Sequence, residues 1–193
     1  EIEIERCGQP IGKQDQYAAA FGGLNLIEFH PDESVSVSPV IMRRDLRDLL
    51  EQRIIVFYTG ITRSASAILA NQSAETSSDA GKKAALKRMV ELTYVLRNEL
   101  SHGNIDSFGH ILDENWSLKK SLTAGISSSD IDEWYNRALG GGALGGKLLG
   151  AGQGGFMMFY APKERHEDIA NAVGLRQVRF GFEPLGSRIL FYN

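Results

Sequence analysis

The sequence has little cysteine and no long apolar run. Cys7 is the one cysteine among 193 residues, so an internal disulfide is excluded and a reducing compartment, the cytoplasm, is expected. No stretch approaches the roughly 18 apolar residues of a membrane span, and no basic-then-apolar signal pattern opens the chain. We therefore expect no membrane as a partner.

An excess of one charge is also missing. The 21 basic and 24 acidic residues are mixed along the chain and give a net charge of -3. Because nucleic-acid binding leaves a basic footprint, DNA and RNA are not expected partners. With 42% hydrophobic residues, the chain is long enough to bury one large core or two small ones.

Apolar periodicity predicts an α+β fold rather than a doubly wound parallel sheet. The predicted strands are 24–29, 34–42, 53–60, 156–161, 176–182 and 187–193. The predicted helices are 43–53, about 80–102, 106–122, from 129 through 139, and 163–174, with one more capped by Thr62. On the longest helix, the predicted buried stripe is Leu86, Met89, Val90, Thr93, Leu96 and Leu100.

The stretch GKQDQYAAAFGG, residues 12–23, places one carboxylate at the start of a short helix that ends on two glycines. Asp15 can cap that helix by accepting hydrogen bonds from the first-turn amides. Alternatively, the carboxylate stands beside a ligand. Gly22 and Gly23 supply the left-handed exit from the helix.

A second informative stretch, KLLGAGQGGFMMFY at residues 147–160, is rich in glycine. Glycines let a ligand phosphate approach the backbone. The formal GxGxxG pattern is weak here, because it runs into a strand where a dinucleotide fingerprint opens a helix. The alternative is a tight turn between a helix and a strand. Lys147 is interpreted as a surface residue.

Together, the two stretches resemble the GHMP family of small-molecule kinases. KLLGAGQGGFMMFY is similar to the family's third motif, and GKQDQYAAAFGGLNLIEF is similar to the segment with the catalytic aspartate. Within the family, these stretches, FYTGITRSASAIL and ENWSLKKSL most resemble the bacterial D-glycero-D-manno-heptose 7-phosphate kinases. The resemblance implies that residues 1–42 end an N-terminal ribosomal S5-like domain and that residues 43–193 form the ferredoxin-like C-terminal domain.

The resemblance also implies site residues. Asp15 orients or deprotonates the sugar's anomeric hydroxyl, which attacks the γ-phosphate of ATP. Lys13 neutralises phosphate charge. Tyr58, Thr59 and Arg63 face the sugar. Arg63 is the candidate for the distal phosphate, with an exposed arginine at a helix start as the alternative. The residues that bring backbone near the phosphates are Gly150, Ala151, Gly152, Gly154 and Gly155.

Mg²⁺ is the implied metal. Glu3 is its candidate ligand, because carboxylate oxygens suit this hard cation. Glu5 is the alternative ligand, and a solvated helix face is the alternative interpretation of both residues.

The family's earlier nucleotide-binding loop, rich in proline and glycine and ending in serines, has no counterpart in this sequence. We therefore expect a kinase fragment that is inactive by itself. The complete enzyme is expected to phosphorylate heptose 7-phosphate with ATP, for surface polysaccharide such as lipopolysaccharide or capsule. A galactose- or fucose-type kinase and a non-catalytic ferredoxin-like binding module remain alternatives, and a homodimer remains open.

Overall fold

The computed structural model describes residues 6, 8, 12–62, 79–150 and 152–191. The first elements are a helix, α1 (Gln14–Phe21), and an antiparallel hairpin of β1 (Asn25–Phe29) and β2 (Val35–Pro39). The remaining elements are α2 (Arg44–Gln52), β3 (Ile54–Tyr58), α3 (Ala80–Ser101), α4 (Ser107–Leu122), α5 (Ser129–Gly140), β4 (Gly145–Leu149), β5 (Phe156–Tyr160), a 3-10 turn (Lys163–Arg165), α6 (His166–Val173) and β6 (Arg176–Val178).

Four strands form one antiparallel sheet in the order β4-β5-β3-β6. The first and third strands of the sheet along the chain, β3 and β5, are its central neighbours, and helices connect β3 to β4 and β5 to β6. This is the β-α-β-β-α-β arrangement of ferredoxin-like domains, with additional helices in the first connection. The predicted α+β fold is confirmed.

Helices cover both faces of this sheet, which is why β3 reads as a continuous apolar run. Ile55 and Phe57 enter a core cluster that contains Trp116, Tyr135 and Ile169. The alternate residues of β3, Ile54 and Val56, enter a second cluster with Leu50, Leu100, Phe108 and Tyr160. The sheet is therefore the middle layer of the domain and holds its edges and loops rigidly.

The predicted helices at 43–53, 80–102, 106–122 and from 129 are confirmed, but the predicted stripe on α3 is partly wrong. Val90 is 56% exposed, and Thr93 is also exposed, whereas Leu92 is only 2% exposed and packs in the core. Leu86, Met89, Leu96 and Leu100 do face the interior. The physical reason is that α3 carries apolar residues on more than one side, so spacing alone does not identify the buried side.

The C-terminal strand predictions need correction. Pairing with β3 is limited to Arg176–Val178, so 176–182 is a strand in its first residues only. Residues 187–191 form no strand and leave Ile189, Leu190 and Phe191 exposed. Conversely, β4 was not predicted, because Gly145 and Gly146 are poor strand formers. The predicted helix capped by Thr62 falls on residues 63–78, outside the described residues.

Candidate functional site

Asp15 lies in the first turn of α1 and is exposed to solvent. The N-cap residue is Lys13, and no side chain caps the helix. The capping interpretation of Asp15 is therefore wrong. Within the part of the chain that the structure describes, Asp15 makes no hydrogen bond and no ion pair, so its carboxylate is available to a ligand. Lys13 is likewise exposed, at the same end of the helix.

The position of α1 is set by backbone contacts at its C-terminal end. Gly22 and Gly23 have positive φ angles of 62° and 71°, but the ψ of 177° at Gly22 lies outside the left-handed helical region predicted for this exit. A Cβ at Gly22 would lie 2.1 Å from the Gly186 nitrogen, so the two backbones touch. Ser187 donates its amide to the Ala20 oxygen at 3.1 Å, and its hydroxyl to a neighbouring carbonyl at 3.2 Å. The C-terminal segment 183–187 thus holds the helix that carries Asp15.

Aromatic rings also pack α1 against the hairpin of β1 and β2. The Tyr17 ring stacks on Phe21 with centroids 6.2 Å apart and meets the edge of Phe29 at 5.7 Å. A cavity of about 300 Å³ opens beside this cluster, between the end of α1, the hairpin and α2. Phe21, Leu24, Met42 and Pro184 are among its lining residues. Asp15 is not among them.

The glycine loop, residues 150–155, connects β4 to β5. The prediction of a loop or turn between a helix and a strand is therefore wrong, since a strand precedes the loop. Gly150, Gly152 and Gly155 have φ angles of 92°, 136° and 99°, in the range that favours glycine. Gln153 also has a positive φ of 57°, which strains a residue with a side chain. Ala151 lies outside the described residues.

The loop is bonded to the domain beneath it. The Thr59 amide and hydroxyl both donate to the Gly155 oxygen, at 3.0 and 2.9 Å, and the Gly155 amide donates to the Ile61 oxygen at 2.9 Å. The Gln153 amide donates to the Ile126 oxygen at 3.0 Å. A Cβ at Gly154 would lie 2.5 Å from the Ile61 oxygen, so this glycine is required for packing. These contacts fix the loop in one conformation.

Tyr58 and Thr59 lie beside the loop, and their predicted position facing the sugar stays a prediction. The Tyr58 ring contacts Phe156 at 5.2 Å between centroids. Thr59 is 6% exposed, and its hydroxyl donates to Gly155 while accepting from the Ile61 amide at 3.2 Å. Because both bonds stay inside the protein, Thr59 positions the loop. Arg63 lies outside the described residues.

Two lysines at the glycine loop were not identified from the sequence. Lys119 on α4 donates to the Gly150 oxygen at 2.7 Å. Burial, together with the nearby Lys147 charge, lowers the pKa of Lys119 to about 8. Lys147, interpreted from the sequence as a surface residue, is half-buried, and burial lowers its pKa. The sequence offers no signal for this pair, because β4 and α4 come together only in the fold.

The structure brings Tyr58, Thr59 and the glycine loop together. Within the described ranges, no hydrogen bond or ion pair joins Asp15 or Lys13 to that group, and the two parts are linked through the domain instead. The described residues also contain no group of three side chains that could hold a metal ion. Glu3 and Glu5 lie outside them, so no step is assigned to Mg²⁺. No helix in the described part of the chain is long and apolar enough to span a membrane.

Comparison with known proteins agrees with this fold. Residues 96–178 match the family model described as GHMP kinases C terminal. The chain contains a GHMP kinase C-terminal domain. The matched region covers α4 through β6 and includes the glycine loop and both lysines. The resemblance to GHMP kinases is therefore confirmed, and of the two quoted stretches the one at 147–160 lies inside the matched region. Members of this family are kinases that use ATP.

Sugar kinases are among the relatives of this GHMP domain. A D-glycero-alpha-D-manno-heptose 7-phosphate kinase of Campylobacter jejuni is 30% identical over 177 residues, which cover 92% of this chain and 52% of that protein. A galactokinase of Pyrococcus furiosus is 26% identical over 200 residues, which cover 90% of this chain and 54% of that protein. The chain spans about half the length of these curated relatives.

A solved structure supports the same assignment. The crystal structure of a D-glycero-D-manno-heptose 1-phosphate kinase from Bacteroides thetaiotaomicron matches with a TM-score of 0.62 and 30% identity, over 96% of this chain and 51% of that one. The match extends beyond the C-terminal family model to nearly the whole chain, so α1 and the hairpin belong to the shared architecture.

Proposed function

We propose that this chain is part of an ATP-dependent kinase that phosphorylates the anomeric hydroxyl of D-glycero-D-manno-heptose 7-phosphate. The observation that carries the proposal is the 30% identity to a heptose 7-phosphate kinase along 92% of the chain. That likeness extends over 92% of the chain, and the match to the solved heptose-phosphate kinase structure extends over 96% of it. The boundary at residues 42 and 43 between an N-terminal remnant and the C-terminal domain belongs to the same proposal.

In this proposal, Asp15 is the catalytic residue. The anomeric oxygen forms a bond to the γ-phosphorus of ATP, the bond from that phosphorus to the bridging oxygen breaks, and ADP leaves. The hydroxyl proton passes to the Asp15 carboxylate. The exposed, unbonded state of Asp15 supports this role, because the carboxylate has no competing partner among the described residues. A general base of this kind contributes about 10² to 10⁴ in rate.

The glycine loop acts by position in this scheme. The Thr59 hydroxyl donates to the Gly155 oxygen, and the Gln153 amide donates to the Ile126 oxygen. Because of these bonds, we expect the loop to keep its conformation when phosphate groups bind. Phosphoryl transfer depends mostly on positioning and charge neutralisation, and a rigid loop avoids reorganisation during the reaction. Lys13 and Arg63 remain the proposed phosphate ligands from the sequence, and Glu3 the proposed Mg²⁺ ligand.

Activity is assigned to the complete protein. The chain spans about half of its curated relatives, so we propose that the chain alone has no efficient turnover. The proposal includes a cytoplasmic location and a role in surface-polysaccharide synthesis. It leaves homodimerisation open. A galactose-type kinase is the second candidate, favoured by the 26% identity to a galactokinase over 90% of the chain.

The test is a substrate panel. The complete protein that contains this chain is incubated with ATP and heptose 7-phosphate, galactose, fucose or mannose, and phosphorus NMR identifies any anomeric phosphate. We expect a new anomeric phosphate on heptose 7-phosphate alone. Reaction of unphosphorylated hexoses only would overturn the heptose assignment, and no turnover of any sugar would favour the binding module. Efficient turnover by the 193-residue chain itself would contradict the fragment proposal.

A further inference from the structure

The pair of lysines at the glycine loop is not used by the proposed mechanism. Lys119 extends from α4 and donates to the Gly150 oxygen at 2.7 Å. Lys147 belongs to β4, the strand that leads into the loop. Both side chains are half-buried. The Lys147 charge is near enough to lower the pKa of Lys119, so two ammonium groups from different elements act at the same end of the loop.

Among the described residues, neither charge has an acidic partner. Burial is the main cause that lowers the pKa of Lys119, and the Lys147 charge is the second. Neither lysine forms a salt bridge with any residue in the described ranges. Partly desolvated charges normally have a partner, since an unpaired one costs free energy. Folding thus places two positive charges near each other, and no carboxylate of the described residues pairs with either of them.

Neighbouring cations show what a paired arrangement looks like in this molecule. Lys120, the next residue on α4, lies 3.0 Å from the Asp132 carboxylate and over the Trp116 ring at 5.9 Å. Arg88 contacts Glu114 at 2.7 Å. The difference between Lys119 and Lys120 follows from the helix, because adjacent residues point in different directions. Unlike Lys120 and Arg88, the lysine pair has no acidic partner among the described residues, and a bound anion would supply one.

No atom of the described residues fills the space directly next to the Gly150 Cα. A Cβ built on Gly150 would meet no atom within 4 Å, although its φ of 92° disfavours any side chain there. The amides of Gly152 and Gly154 have no acceptor among the described residues. Free amides in a glycine-rich loop can donate to an anion, and here they stand on either side of the Gln153 amide, which is bonded to Ile126. Positive charge, free donors and room are therefore found together.

We propose that Lys119 and Lys147 bind a phosphoryl group beside Gly150. The inference rests on the proposed function for its source, which is the polyphosphate of ATP or the phosphate that the sugar already carries. An ammonium group has three donors. Lys119 uses one for the Gly150 oxygen and keeps the others for the anion, so loop and ligand are held by the same side chain.

Binding of two simple probes to the complete protein tests the inference. Isothermal titration calorimetry measures the affinity for inorganic pyrophosphate, which represents the nucleotide, and for mannose 6-phosphate, which represents a sugar phosphate. We expect Lys119→Gln and Lys147→Gln each to weaken at least one probe by about 10- to 100-fold, as loss of a charge-assisted hydrogen bond does. Lys119→Arg keeps charge and donors and should retain most of the affinity.

Lys87→Gln is the matched control, since Lys87 is an exposed lysine on α3. It should leave both affinities unchanged. Weakening of pyrophosphate alone assigns the pair to the nucleotide, weakening of mannose 6-phosphate alone assigns it to the sugar phosphate, and weakening of both indicates a shared subsite. The inference is overturned if the double variant Lys119→Gln/Lys147→Gln binds both probes like the unmodified protein, or if the unmodified protein binds neither.

The two proposals fail in different ways. Lysine-dependent probe binding without turnover of any sugar would reject the kinase and keep the anion site. Turnover of heptose 7-phosphate with lysine-independent probe binding would keep the kinase and reject the anion site. Heptose turnover in the panel is read from a new anomeric phosphate, whereas probe binding is read from heat, so neither readout depends on the other.

Discussion

Asp15 and Asp130 occupy equivalent positions, each the second residue of a helix and each exposed. Both carboxylates gain the same favourable interaction with the positive end of a helix, worth about 0.3 to 1 kcal/mol. The helix start at Asp130 is capped by Ser128, whose hydroxyl accepts from the Ile131 amide. Any effect peculiar to Asp15 must therefore come from a ligand.

Substitution of these two aspartates separates catalysis from helix stability. Asp15→Asn in the complete protein should lower kcat by about 10² to 10⁴, because the proton acceptor is lost. The matched variant Asp130→Asn should leave kcat unchanged. Both variants should unfold at nearly the same denaturant concentration as the unmodified protein. Equal kcat values for Asp15→Asn and Asp130→Asn would remove Asp15 from the mechanism.

The pKa of Lys119 gives a second residue-level prediction. The pKa of this lysine is 10.5 in the unfolded chain and is lowered to about 8 in the folded chain. Between these values the unfolded state binds more protons, so the Lys119 contribution to the free energy of unfolding rises with pH across this window. Below pH 8 the group is charged in both states, and its burial is fully unfavourable.

The difference in the free energy of unfolding between Lys119→Gln and the unmodified protein should therefore favour the variant most strongly below pH 8. Its relative advantage should shrink steadily towards pH 10.5, while the lost bond to Gly150 adds a constant offset. Urea unfolding across this pH range measures the difference, and taking a difference cancels the other titrating groups. Lys87→Gln should show a difference that does not vary with pH. A constant difference for Lys119→Gln as well would contradict the buried position.

At the scale of the element, β4 shows why a strand can form from poor strand residues. Gly145 faces α4, and a Cβ there would lie 2.0 Å from the Gly109 oxygen. Gly146 faces Phe159 across the ladder, where a Cβ would lie 2.4 Å from the ring. The glycines thus permit a close helix-strand approach, which places Lys147 next to Lys119. Propensity disfavoured this strand, and packing overrode it.

Gly145→Ala should destabilise the protein by about 1 to 3 kcal/mol or more, because backbone of α4 cannot move aside as a flexible side chain would. Gly140→Ala is the control, since a Cβ at Gly140 meets nothing within 4 Å. In a helix, that change should be neutral or stabilising by up to about 1 kcal/mol. Urea unfolding monitored by circular dichroism gives both values, and similar values for the two variants would refute the close approach.

Helices and strands with one clear apolar side could be predicted from the sequence. Features that depend on contacts between distant parts of the chain could not. The hairpin and α2, β3, α4 and α5 follow from local pattern. The choice of Leu92 over Val90 on α3 does not, because both are apolar and only the assembled core distinguishes them. The glycine loop and Thr59 were named from the sequence as candidate site residues, which stays a prediction. Lys119 was not named, because it comes near Lys147 on a distant strand only in the fold.

For the whole molecule, the decisive contact is between the two ends of the described chain. The Gly23 amide donates to the Glu183 oxygen at 2.7 Å, and Ser187 bonds to the end of α1. This explains why 187–191 is no strand despite its apolar residues, since the segment before it is bound to a helix. The placement of Asp15 is therefore controlled from the C-terminal segment.

Gly186→Ala tests this control. Gly186 has a φ of 60°, and a Cβ there would lie 2.4 Å from the Ala20 oxygen. We expect faster amide hydrogen exchange in α1 and, in the complete protein, a lower kcat. Gly174→Ala is the control. Gly174 has a similar φ of 70°, so alanine causes a similar backbone strain there, but its Cβ would meet no atom within 4 Å. This variant should lower the free energy of unfolding without faster exchange in α1. Equal exchange in α1 for both variants would show that the contact does not hold the helix.

The Ser187 hydroxyl bonds to a carbonyl 168 residues earlier in the chain. A ribosome adding about 5 to 20 residues per second needs roughly 10 to 30 s to cover that distance. During synthesis, the first helix has emerged long before the residues that hold it exist. The Asp15 helix is therefore held by this bond only after residue 187 has been synthesised.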